Sequence, residues 1–169
     1  MQASRYIDEV TQSPGDENAR SDDERFMGSA LALAARAESA GEVPVGAVIV
    51  MDGKIVGEGF NAPISRQDPT AHAEMLAIRE AAAVVGNYRL AGSTLYVTLE
   101  PCPMCAGALV NSRVDRLVFG ARDLRFGGVR SKFQLADSEL LNHRVAVVEG
   151  VRAAECIQLL QRFFAGRRT

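Results

Sequence analysis

Apolar positions along the chain follow first a helical rhythm and then short, Val-rich runs. Phe26, Ala30, Leu33, Ala34 and Ala37 recur at helical spacing from about Asp23, and Gly41 supplies a stop, which predicts a helix. Residues 43–50 are rich in Val and Ile, and Lys54–Phe60 follows after Asp52 and Gly53. Asp-Gly between two such runs predicts a hairpin, because the tight turn needs positive φ at both central positions. Residues 61–70 form a polar loop with two prolines. Residues 71–85 are predicted helical, capped by Asp68 or Thr70 and ended at Gly86. Thr94–Leu99 is a predicted strand, 101–111 a short helix and 115–120 another strand. Strand, helix, strand in that rhythm implies a right-handed crossover and a parallel pair. A long loop rich in Arg and Gly spans 121–137, with a strand expected at 144–149 and an amphipathic helix at 152–164. No internal repeat interrupts the series. The sum is one α/β domain, a mixed sheet with helices on both faces.

Composition narrows the class. The chain has 169 residues, with 47% hydrophobic and 24% charged positions, which excludes a disordered or collagen-like protein. Its longest uncharged apolar runs, 43–51 and 101–110, are too short to cross a bilayer as helices, so no membrane partner is expected. The first residues lack a basic start leading into an apolar stretch, so no secretory signal is read. Three cysteines, two of them three positions apart, make a poor disulfide framework. The expected location is cytoplasmic.

Charge is unevenly distributed along the chain. Residues 1–24 carry seven acids against Arg5 and Arg20, a net −5, so against a total of −2 the remainder carries +3. Residues 1–24 also lack periodicity and are expected to be a disordered acidic leader, with 25–169 as a single domain. A mildly basic body permits nucleic-acid binding without requiring it.

The candidate chemistry is a metal site. His72 and Glu74 fall in the first turn of one predicted helix, and Cys102 and Cys105 in the first turn of another. Three-residue spacing puts both thiols on one helical face, where a single zinc reaches them, and a helix N-terminus favours thiolate. His72, Cys102 and Cys105 make three ligands; the fourth position is left to His143, Cys156, a carboxylate or water. Three protein ligands plus water describe a catalytic zinc, four a structural one. Glu74 projects from a different part of the helix surface and is assigned as general acid/base. A redox Cys-x-x-Cys pair and a structural zinc completed by Cys156 are the competing interpretations; Cys156 also fits a core thiol, and His143 a polar loop residue.

His72-Ala73-Glu74 followed by Pro101-Cys102-Pro103-Met104-Cys105 resembles the zinc signature of the cytidine deaminase-like superfamily, His-x-Glu and Pro-Cys-x-x-Cys. The resemblance to the bacterial tRNA adenosine deaminase family extends to Glu-Val-Pro-Val-Gly at 42–46, Gly-Phe-Asn at 59–61, Asp-Pro-Thr-Ala-His at 68–72 and Asn-Tyr-Arg-Leu at 87–90. It continues through 95–105, Val-Phe-Gly-Ala-Arg-Asp at 118–123, Asn-His-Arg-Val at 142–145, and Phe163, Phe164, Arg167 and Arg168. It implies a three-layer α/β/α fold with a mixed five-stranded sheet and one zinc per subunit. It implies hydrolytic deamination of adenosine to inosine at the wobble position of a tRNA anticodon, zinc-bound hydroxide attacking C6 and Glu74 shuttling the proton.

By the same resemblance Asn61 hydrogen-bonds the base, Glu42 and Val45 line the pocket, and Ala121 and Asp123 lie at its mouth, with Phe164 near the splayed loop. Val45 equally fits a core strand, Asn61 a turn former and Phe163 packing. The tRNA anticodon stem-loop is the expected partner, touching both subunits of a homodimer. Arg122, Arg125, Arg130, Lys132, Arg162, Arg167 and Arg168 are candidates for its phosphates, or a solvated surface. Residues 124–130, Leu-Arg-Phe-Gly-Gly-Val-Arg, are bulkier and more basic than the family's pattern of small residues there, which bears on nucleotide context. A deaminase of a free base or nucleoside (cytosine, guanine or a nucleotide) shares the zinc set, and a structural-zinc RNA-binding module is the alternative outside enzymes.

Overall fold

The computed structural model describes residues 14–167. Ten elements follow in order: α1 (Pro14–Ser39), β1 (Gly46–Met51), β2 (Lys54–Phe60), α2 (Pro63–Arg66), α3 (Ala73–Val85), β3 (Thr94–Leu99), α4 (Pro103–Asn111), β4 (Arg116–Ala121), β5 (Ala146–Glu149) and α5 (Ala153–Ala165). The sheet order is β2-β1-β3-β4-β5. β1 runs antiparallel to both neighbours; β3 and β4 are parallel, as the strand, helix, strand rhythm predicts, and β5 adds parallel to β4. Asp52 (φ 50°) and Gly53 (φ 72°) close the β1–β2 hairpin in the left-handed conformation that the Asp-Gly pair predicted.

The central strands β1, β3 and β4 are buried on both faces, and their period of two sorts side chains between two cores. Ala47, Ile49, Leu95, Val97, Leu117 and Phe119 pack with Ala73, Ala77 and Ile78 of α3 and Ala106 and Leu109 of α4. The alternate positions, Val48, Val50, Tyr96 and Val118, pack with Phe26, Met27, Ala30 and Leu33 of α1 and Cys156 of α5. The result is the expected three layers. α3 lies flat on β2 because Gly59 carries no side chain: a Cβ there would come within 2.2 Å of the Ala73 carbonyl oxygen. This close approach fixes the start of α3, and with it His72 and Glu74.

Three expectations need correction. The acidic leader does not extend to residue 24, since α1 begins at Pro14 and takes in 14–24; residues 1–13 lie outside the described residues. Asp23 is part of the domain. It is buried and accepts hydrogen bonds from both Arg116 terminal nitrogens, at 2.7 and 2.6 Å, and from the Tyr96 hydroxyl at 2.9 Å. Burial and this carboxylate both push the Tyr96 hydroxyl well above its ordinary pKa. The loop at 61–70 contains the short helix α2, unrecognised because four residues carry no period. Finally, His72 is the residue that caps α3, and neither Asp68 nor Thr70 does; Asp68 instead accepts from the Thr70 N–H and hydroxyl in a local turn.

Candidate metal centre and substrate cleft

His72 and Cys102 stand at matching positions of two helices: each is the N-cap residue, of α3 and α4 respectively, with extended backbone. Cys105 follows in the first turn of α4. Cys102 lies just beyond the C-terminal end of β3, where a parallel sheet gathers its ligand sites. His72 Nδ1 is 3.5 Å from Cys102 Sγ and 3.6 Å from Cys105 Sγ. Zinc–nitrogen and zinc–sulfur bonds meeting at a tetrahedral angle give an edge of about 3.6 Å, so the three donors already have the spacing of a zinc site. Within the triad the protons are shared unevenly: hydrogen bonds, from Cys105 first and then from His72, bring the Cys102 thiol down to about 4, while that same bond and burial push Cys105 up and the contact with Cys102 raises His72. Zinc binding at these three donors would therefore release the protons that Cys105 and His72 hold.

Among the described residues these three form the one metal-capable group. His143 is committed elsewhere, its Nε2 lying 2.7 Å from the Val114 carbonyl oxygen. Cys156 is a core thiol of α5 seated against Gly120, where a Cβ would meet its sulfur at 2.4 Å. His143 and Cys156 are thereby removed as fourth ligands, and no carboxylate joins the three donors among the described residues. Glu74 is buried beside the triad, and that burial pushes its carboxyl up to about 7.

A cleft of about 1020 Å³ opens over this group. Val45, Asn61, His72, Glu74, Cys102, Asp123 and Phe164 line it. The Asn61 side-chain amide makes no hydrogen bond within the described residues, which leaves its donor and acceptor for a ligand. Phe164 is exposed and stands edge-on to the buried Phe163, with ring centroids 5.3 Å apart; Phe163 is packing. Ala121 lines an adjoining hollow between β4 and α5, also walled by Arg122, Arg125 and Phe164.

Glu42 does not line the cleft. It is buried, and its Oε1 accepts from the Ser65 N–H and hydroxyl, each at 2.7 Å, so it anchors α2. The basic candidates also divide. Arg122 is paired with Glu149, Arg130 with Asp137 and Arg162 with Glu38. Arg167 donates to the Gly41 carbonyl at 2.6 Å and lies over the Phe163 ring. Arg125 and Lys132 are exposed, with no ion pair among the described residues, and Arg168 lies outside them.

Sequence reasoning missed Glu100. The residue is 2% exposed, and its carboxylate accepts from five donors: the N–H groups of Asp123, Val129, Arg130 and Ser131 and the Ser131 hydroxyl. Burial opposes its ionisation, yet those donors outweigh burial and lower its pKa. An acid directly before Pro101-Cys102, at a strand end that must be buried, was the available signal.

Comparison with known proteins settles the family. Residues 20–121 match the cytidine and deoxycytidylate deaminase zinc-binding region. The tRNA-specific adenosine deaminase of Haemophilus influenzae is 54% identical over 147 residues, covering 86% of this chain and 85% of that one. The chain belongs to the tRNA-specific adenosine deaminase family. The Bacillus subtilis member is 49% identical over 142 residues, 84% of this deaminase and 88% of that protein. A structure solved in a study of A-to-I editing by tRNA:A34 deaminases at the wobble position superposes with a TM-score of 0.78 at 40% identity. That match covers 80% of this chain and 99% of the other. This deaminase therefore takes zinc, and His72, Cys102 and Cys105 are positioned to bind it.

Proposed function

We propose that this deaminase converts adenosine to inosine at the wobble position of a tRNA anticodon, with water consumed and ammonia released. The observation that carries the mechanism is a three-donor zinc site beside a buried carboxyl group in an open cleft. Zinc in such a site supplies a Lewis acid that brings the pKa of water down to about 7.

The chain's own residues do the rest. Glu74, its pKa raised to about 7 by burial, takes one proton from the attacking water and delivers it to the purine ring nitrogen, then carries the second, from the hydroxyl now on C6, to the amine, which departs as ammonia. Asn61 hydrogen-bonds the base, Val45 and Leu99 give it an apolar wall, and Phe164 meets the chain that carries it. An unpaired anticodon base enters such a cleft without a duplex being opened. The relatives' names support tRNA as the substrate class, and a tRNA substrate supports a cytoplasmic location. Among the described residues, no helix is long and apolar enough to cross a membrane. The anticodon stem-loop is the recognised portion, and a homodimer is the working form.

The test is a parallel deamination assay of the zinc-loaded protein. Substrates are an anticodon stem-loop with adenosine at the wobble position, and free adenosine, cytosine, cytidine and guanine. Inosine in the stem-loop alone is expected. Deamination of a free base with the stem-loop untouched would keep the chemistry and overturn the substrate.

A further inference from the structure

Residues 123–131, which include the 124–130 stretch that departs from the family's pattern, are organised around one buried group. Glu100 Oε1 accepts from the N–H groups of Val129 (3.2 Å), Arg130 (2.6 Å) and Ser131 (2.8 Å). Its Oε2 accepts from the Asp123 N–H at 3.0 Å and from the Ser131 hydroxyl. Asp123 relays the constraint: its Oδ1 accepts from the N–H groups of Arg125 and Phe126, and its carbonyl from Gly127 N–H. The loop returns through Gly128, whose N–H donates to the Pro101 carbonyl at 2.7 Å. Gly127 and Gly128 admit this approach; a Cβ on Gly127 would meet the Glu100 carboxyl at 2.4 Å, and one on Gly128 the Pro103 nitrogen at 2.7 Å. The tip held out by these bonds, Leu124, Arg125 and Phe126, is exposed and forms one wall of the cleft.

We infer that Glu100 is a positioning residue for substrate binding: by gathering the N–H groups at both ends of the 123–131 loop, it holds the wall that receives the nucleic acid around the target base. It sits one residue from Pro101 and two from Cys102, so the strand end that carries a zinc ligand also sets the mouth. The inference deepens the functional reading above and rests on it. A purely structural carboxylate would affect folding, whereas a positioning one governs how well substrate is received.

Glu100→Gln tests it in the full, zinc-loaded chain. The amide oxygen still serves three N–H groups, but the amide nitrogen then faces the Asp123 N–H, two donors with no acceptor between them. The expected result is stoichiometric zinc and loss of hydrogen-exchange protection confined to 123–131. KM for the stem-loop rises about tenfold, the consequence of one lost bond to a charged group, while kcat stays within about threefold. Unchanged protection of the loop, or a fall in kcat with KM unchanged, would overturn the inference. Should Glu100→Gln fail to fold, Ser131→Ala and Gly127→Ala decide. Each should raise KM with zinc retained, and parent-like KM in both would overturn it. Failure of the unsubstituted protein to deaminate the stem-loop would count against the functional reading instead, and the exchange pattern would still decide whether Glu100 holds the loop.

Discussion

At the scale of single residues the site separates metal holding from proton handling. His72, Cys102 and Cys105 have zinc spacing, and Glu74 lies buried alongside without belonging to that set. Glu74→Ala should therefore retain zinc and fold while turnover falls at least about 10²-fold, the usual contribution of a positioned acid/base; metal analysis beside the stem-loop assay checks both halves. His72→Ala or Cys102→Ala should do the opposite. Zinc is lost, and because metal binding is coupled to folding the melting temperature drops too. Stoichiometric zinc in both ligand variants would show the ligand set to be wrong. The motif spacing made these four residues legible in the sequence. Glu42 was misplaced because a pattern match carries no information about direction, and its carboxylate turns away to Ser65.

At the scale of elements, the helices that present the site are themselves held by long-range contacts. α1 covers one face of the sheet, and Asp23 ties it to Tyr96 of β3 and Arg116 of β4. Removing one partner of a buried pair leaves the other uncompensated, so Asp23→Ala should cost on the order of 3 kcal/mol in chemical denaturation. Truncation of residues 1–24 should destabilise the domain by at least as much, since it removes the same carboxylate. Strands were read well because period-two burial and the Asp-Gly turn are local signals: Lys54–Phe60 and Thr94–Leu99 were placed as observed. The start of α1 was missed because residues 14–24 are polar and show no apolar period. Asp23 owes its burial to partners 73 and 93 residues away, which no local window contains.

At the scale of the whole molecule, counting basic residues overstates the surface available to RNA. Arg122, Arg130 and Arg162 already face carboxylates, whereas Arg125 and Lys132 are exposed and without ion pairs among the described residues. Each phosphate contact contributes about one unit to the salt dependence of binding. Arg125→Ala and Lys132→Ala should each weaken stem-loop binding and reduce the slope of log K against log salt by about one. Arg162→Ala should leave the slope nearly unchanged; equal slopes for all three variants would return the paired arginines to the interface.

Deamination at a single base of a tRNA is decided by mapping inosine in a full-length tRNA bearing adenosine at the wobble position after incubation with the zinc-loaded enzyme. Inosine is expected at that position, none at other adenosines, and none with Glu74→Ala. Inosine distributed over other loops, or wobble inosine formed equally well by Glu74→Ala, would contradict it.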